Sequence, residues 1–396
     1  MAIYFGLVAP SRKQVDNLTK EVKNLTDAFN HWRAVPGDER LRHLLAEQGR
    51  RENLAKAAAL AREEKHQEAI RYLEACLGPG VSPEDSASIY LLIGNAYLAI
   101  SQFSEAEAAY KNSLAAAEGI ADANDRREAT AAALGNLGLV YADRGEMDKA
   151  RDHHQQALDI HTEAGNRRGE GNQLGNLGNV YADMGELDKA LNHHQQALEI
   201  DKEIGNRLGQ AQDLGNLGIV YAQQGEMGKA REHLQEALAI CKEADYRLGQ
   251  AQALGNLGIV YRQLGELEEA LKHHQQALEI DKEIGNRLGQ AQDLGGLGLV
   301  YRNIGELDKA REHLQEALAI QRGVGDRLGE AKALGNLGIV YRHQGQLDKA
   351  LQHFQQALSL FQAIGAQREI ATTKENIASV KKAIRGQKAR RTRKKG

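Results

Sequence analysis

The string Leu-Gly-Asn-Leu-Gly-x-Val-Tyr returns along this chain every 40 residues. It occupies Leu134–Tyr141, Leu174–Tyr181, Leu214–Tyr221 and Leu254–Tyr261. It recurs at Leu294–Tyr301 with Gly296 in place of Asn, and closes the series at Leu334–Tyr341. A fixed period of this size means stacked helical units, each burying its apolar face against its neighbours. Such a chain builds an extended scaffold, not one closed core around a deep pocket.

The 396 residues alone would suggest two or three globular domains, but a stack grows by addition and sets no such limit. With only 4 Pro and abundant Ala, Leu, Glu, Gln and Lys, the chain is expected to be all-α. Most of the 41 Gly fall at fixed repeat positions, so they punctuate the structure rather than signal disorder. Cys76 and Cys241 lie far apart in different repeats, which points to a reducing, cytoplasmic setting. Met1–Pro10 is apolar but short, with no basic residue before it, so a secretory signal is not expected.

Five segments follow from the pattern. Residues 1–37 carry Val15, Leu18, Val22, Leu25, Phe29 and Trp32 at alternating spacings of three and four, a heptad seam. It reads either as a helix covering the first repeat or as a short oligomerisation coil. Pro36-Gly37 breaks the chain, and Asp38 is placed to cap a following helix. Residues 38–125 hold two degenerate repeats, the second starting at Ser82-Pro83-Glu84-Asp85, an N-cap with Pro at the first helical position. Residues 126–365 are six regular 40-residue repeats. Residues 366–385 form a polar capping helix, and 386–396 a basic, disordered tail.

Each regular unit reads as two helices. In the first of them, helix A covers about 127–143, Gly145 ends it, and helix B runs from Glu146 to about Ala164. Gly165 then supplies a left-handed stop and Asn166 caps the next helix A. Gly205-Asn206, Gly285-Asn286 and Gly325-Asp326 repeat this junction, whereas Asp245-Tyr246 departs from it and predicts a different geometry there.

Leu134, Leu137, Gly138, Tyr141, Gly145, Ala150 and Ala157 occupy, in order, the signature positions of the tetratricopeptide repeat. The chain resembles that family over roughly residues 50–385. Its 40-residue unit is similar to the long-helix subclass, which includes the spindle-orientation adaptors named for their Leu-Gly-Asn motif and many bacterial arrays. The resemblance implies a right-handed superhelical solenoid of helix-turn-helix repeats, with helix A lining a concave groove that holds a peptide. Those adaptors carry Gα-binding motifs after the repeats. Here a short basic tail follows instead, so that role is not carried over.

Periodicity gives an independent view of which residues face a ligand. Leu134, Leu137, Gly138 and Tyr141 form one apolar stripe at i, i+3, i+4, i+7 and should pack on helix B. The opposite stripe carries Asn136, Asn176, Asn179, Asn216, Asn256 and Asn336, with Gln212 and Gln252 beside them. A plain solvent face would be rich in Glu and Lys. Amides both donate and accept, so this stripe suits the main chain of an extended peptide. The alternative is that the Asn side chains tie helix A to adjacent backbone.

One flank position of the stripe reads Ala142, Ala182, Ala222, then Arg262, Arg302, Arg342. Its neighbour drifts from Asp143 and Asp183 to Asn303 and His343. The late repeats are therefore expected to take an acidic ligand segment, unless the arginines pair with local Glu residues.

His153-His154, His193-His194 and His273-His274 invite a metal reading. Adjacent helical residues point about 100° apart and cannot chelate as an i, i+4 pair does. The second His aligns with Leu234, Leu314 and Phe354, an apolar packing position. Gly135-Asn136-Leu137-Gly138 lies mid-helix and is not a phosphate loop. The sequence therefore predicts no catalytic residues, cofactor or metal, and a non-enzymatic partner for a protein or peptide. A homo-oligomer through the N-terminal helix is the alternative, as is an adaptor whose tail meets nucleic acid or an anionic membrane. That tail carries seven positive charges from Arg385 onward, leaving −10 on the remainder.

Overall fold

A computed structural model describes residues 48–393, apart from Glu64 and Pro79. All regular structure among the described residues is helical, seventeen helices packed in paired repeats. The heptad seam at Val15–Trp32 and the cap at Asp38 lie outside the described residues. The chain divides into two compact units, residues 1–250 and 251–396.

In the first unit α1 (Gln48–Arg62) pairs with α2 (His66–Glu74), and α3 (Pro83–Ala99) with α4 (Phe103–Glu118). Three regular pairs follow: α5 (Ala123–Asp143) with α6 (Met147–Glu163), α7 (Arg167–Asp183) with α8 (Leu187–Glu203), and α9 (Arg207–Gln223) with α10 (Met227–Glu243). The division falls within α11 (Arg247–Leu264). In the second unit come α12 (Leu267–Ile284), then α13 (Arg287–Ile304) with α14 (Leu307–Val324), and α15 (Arg327–His343) with α16 (Leu347–Ile364). Finally α17 (Gln367–Arg393) packs on α16. This is the all-α repeat solenoid that the period predicts. The last helix runs on through Arg393, past the point where its apolar pattern stops.

The pairing within a repeat rests on one glycine. A Cβ built on Gly138 would lie 2.6 Å from the His154 ring, and one on Gly218 the same distance from Leu234 Cγ. Gly94 stands in the same relation to Tyr110, Gly178 to His194, Gly258 to His274, Gly298 to Leu314 and Gly338 to Phe354. Each glycine is the socket for one large side chain from helix B. Glycine in a helix costs about 1 kcal/mol relative to Ala. Full burial of the partner side chain contributes roughly 1.5–3 kcal/mol, so the exchange is favourable. The Tyr of the motif faces a second ring: Tyr141 lies 4.9 Å from His153, and Tyr341 4.8 Å from His353.

Capping follows the sequence. Ser82 accepts from the Asp85 N–H at 3.1 Å, with Pro83 at the first helical position. The side chains of Asn166, Asn206, Asn286 and Asp326 each accept from the backbone N–H three residues on, at 2.8–3.2 Å. The expected exception at Asp245 does not arise. Asp245 itself adopts φ +48°, the left-handed conformation that glycine takes at the other junctions. Asp tolerates this state because its short polar side chain bonds locally. The Tyr246 N–H then bonds the Cys241 carbonyl at 2.8 Å, as the Asn206 N–H bonds that of Asp201.

Candidate ligand-binding face

In the first unit the amide stripe lies on α5, α7 and α9. Asn136 and Asn216 are buried, Asn176 and Asn179 half-buried, and Gln212 exposed. The stripe is thus not an open face. Helix A meets its own helix B, the helix B before it and its counterparts in adjacent repeats, so three sides of it are covered. The amides line the remaining seam. Asn136 Nδ2 is buried with no acceptor. A buried donor left unpaired costs about 1–3 kcal/mol. This unpaired donor is not the backbone tie that the alternative reading requires.

In the second unit Asn256 is buried and Asn336 half-buried. Asn256 Nδ2 and Gln252 Oε1 are both buried without partners, one a donor and one an acceptor. Arg262, Arg302 and Arg342 stand on α11, α13 and α15, one repeat apart, each half-buried. None of the three forms an ion pair among the described residues. Arg302 reaches only Asn303 Oδ1 at 3.5 Å, and Arg342 only Asn376 Oδ1 at 3.4 Å, so local Glu residues do not neutralise them. Burial lowers the Arg302 pKa, and the fields of Arg262 and Arg342 lower it further. His343 is exposed, and its pKa is lowered by desolvation and then by Arg342 and Arg302.

The second His of each pair packs as the alignment with Leu and Phe predicts, and two of the three, His154 and His274, also join a polar seam that no single-helix pattern shows. His154 Nδ1 lies 2.9 Å from Gln173 Oε1, and His274 Nδ1 3.0 Å from Asp293 Oδ1. The spacing is 19 residues, from helix B of one repeat to helix A of the next. The signal was present: where His becomes Leu234 or Leu314, the residue 19 positions on is Ala253 or Ala333. Burial pushes the Asp213 carboxyl up to about 8, with the charge of Asp201 adding to it, and raises Asp293 well above its ordinary value. Burial drives the His194 pKa down to about 3 and His274 to about 4. Burial thus keeps the His194 and His274 rings and the Asp213 carboxyl neutral near pH 7 and disfavours the charged form of Asp293. They specify packing and do not face the stripe as acids or bases.

Among the described residues no three His, Cys, Asp or Glu side chains gather in a metal-binding arrangement, and no helix is long and apolar enough to cross a membrane.

A family model described as tetratricopeptide repeat matches residues 85–163, 129–203, 172–243, 209–283 and 290–363. No curated protein matches the chain in sequence. Solved structures resemble it in fold. A Rap protein complexed with competence and sporulation factor matches at TM-score 0.60 and 16% identity, over 93% of this chain and 99% of that one. Aspartyl phosphate phosphatase F from Bacillus subtilis matches at 0.58 and 14%, over 90% and 97%. The Rap conjugation gene regulator of plasmid pLS20, in complex with the Phr* peptide, matches at 0.57 and 16%, over 88% and 96%.

Proposed function

We propose that this chain, which belongs to the tetratricopeptide-repeat family, is a peptide-binding regulator that holds an extended segment along its A helices. The observation that carries this reading is that Asn256 Nδ2 and Gln252 Oε1, on one stripe, have no partner among the described residues; both atoms are buried, and a ligand meets them once the half-buried Gln252 side chain turns outward. An extended peptide offers an alternating N–H and C=O along its length, which complements such a pair. The conjugation gene regulator, solved with its peptide, is a case of a similar fold holding a peptide, although at 16% identity the likeness itself carries the fold alone.

Binding rather than catalysis is the activity this face suits. Its polar groups are chiefly amides and guanidiniums, with Asp143, Asp183 and His343 at the flank, and among the described residues they form no base-and-nucleophile arrangement. The phosphatase's name describes that protein, and a likeness at 14% identity carries the fold alone. The comparisons do not support the likeness to the Leu-Gly-Asn adaptors, and neither that subclass nor Gα binding is proposed here.

Affinity capture from cell extract tests the proposal, with bound peptides and proteins identified by mass spectrometry. Wild-type protein is compared with a Gln252→Ala/Asn256→Ala variant. Ligands of the stripe disappear from the variant. Identical lists from the two proteins contradict the reading.

A further inference from the structure

The row Arg262, Arg302 and Arg342 is not explained by the fold. Guanidiniums normally meet carboxylates, yet among the described residues these three meet only two amide oxygens, at 3.4 Å and 3.5 Å. The neighbouring positions are also free of acids. In the first unit that position holds Asp143, Asp183 and Gln223, while beside the arginines it holds Gln263, Asn303 and His343. Three like charges close enough to feel one another, half-buried and without counter-ions, destabilise the free protein. An anion placed among them removes that cost and gains charge-assisted hydrogen bonds.

Resting on the peptide-binding reading, we propose that Arg262, Arg302 and Arg342 form a subsite that takes an acidic stretch of the ligand peptide, with its carboxylates facing the guanidiniums. Gly296 replaces the usual Asn on α13, and a Cβ there would lie 2.4 Å from the His274 ring. Carboxylates fit this row better than a nucleic-acid backbone. The motif tyrosines nearby are engaged, Tyr261 with His273, Tyr301 with His313 and Tyr341 with His353, so they are not free platforms for bases.

The test is selection from a random dodecapeptide library displayed on phage against the full chain at about 150 mM salt. It is run in parallel on Arg302→Ala/Arg342→Ala and on Arg302→Lys/Arg342→Lys, each checked for helical content. Wild-type protein is expected to enrich peptides with clustered Asp or Glu. Affinity for those peptides falls about tenfold for each arginine lost, and weakens steeply with salt. The lysine variant keeps part of the enrichment, since charge remains while the planar fork is lost. Selected peptides without acidic enrichment that still depend on Asn256 overturn this subsite and leave the peptide-binding reading standing. A selection that returns no peptide at all ends both. Arginine-dependent binding of an oligothymidylate with no acidic peptide recovered assigns the row to nucleic acid and overturns the proposal.

Discussion

His274 Nδ1 lies 3.0 Å from Asp293 Oδ1, whereas neither ring nitrogen of His194 has a partner, although His194 and Asp213 sit in an identical stretch of sequence. His193–Gly215 and His273–Gly295 match residue for residue, and the first difference is Asn216 against Gly296. A Cβ at 296 would clash with the His274 ring at 2.4 Å, so the bonded position of that ring requires glycine. With the Asp293 carboxyl protonated, its O–H donates to Nδ1 and the ring proton sits on Nε2. We predict that Gly296→Asn forces the His274 ring away from Asp293. The ring nitrogen shifts in NMR then come to resemble those of His194, and stability falls by about 1–3 kcal/mol for the lost buried bond. Unchanged His274 signals would contradict this.

The buried acid at 213 makes stability depend on pH. Its folded pKa of about 8 lies above the unfolded value of about 3.9. The folded state therefore keeps a proton that the unfolded chain releases. Stability falls as pH rises between those values and levels off above the folded pKa. The double change His194→Leu/Asp213→Ala copies the Leu234 and Ala253 pair already present in the same fold. It is expected to raise the free energy of unfolding more at pH 8 than at pH 5, by roughly 1–2 kcal/mol, because loss of the His194 ring, whose pKa is depressed, also returns stability at pH 5. Equal gains at both pH values would show that Asp213 does not carry this linkage.

Two glycines of the same motif should respond oppositely to alanine. At Gly218 a Cβ meets Leu234 Cγ at 2.6 Å and the Ala230 carbonyl at 3.1 Å. Gly218→Ala should cost about 1–3 kcal/mol by overpacking. At Gly335 nothing lies within 4 Å. Gly335→Ala should gain up to about 1 kcal/mol from helix propensity. Chemical denaturation of the two variants separates sockets from plain helix positions.

The sequence revealed the socket glycines, the helix boundaries and the caps because each depends on residues close along the chain. Gly145 ends α5 with φ +76°, and Asn166 caps α7 as its position implies. It did not reveal how deeply the Asn stripe sits. A helical wheel assumes one buried face, whereas Asn136 and Asn216 lie on helices covered from three sides, so the face opposite Leu137 is also largely buried. The His274 and Asp293 contact was missed for another reason. Its partners are 19 residues apart, across a junction whose geometry no single-helix period encodes. The drift to Arg262, Arg302 and Arg342 was legible, but that local glutamates leave them unpaired was not.

Amides of the A helices that hold a ligand by its main chain make binding sensitive to methylation of the ligand's backbone. A peptide recovered by the full chain is resynthesised with single N-methyl groups, its side chains unchanged, and titrated against wild-type protein and the Asn256→Ala variant. The account predicts that methylation at alternate positions costs about tenfold or more in affinity. It also predicts that at one of them the loss is not additive with Asn256→Ala, the mark of a shared hydrogen bond. Methylation without effect at every position, while side-chain changes abolish binding, would contradict the account.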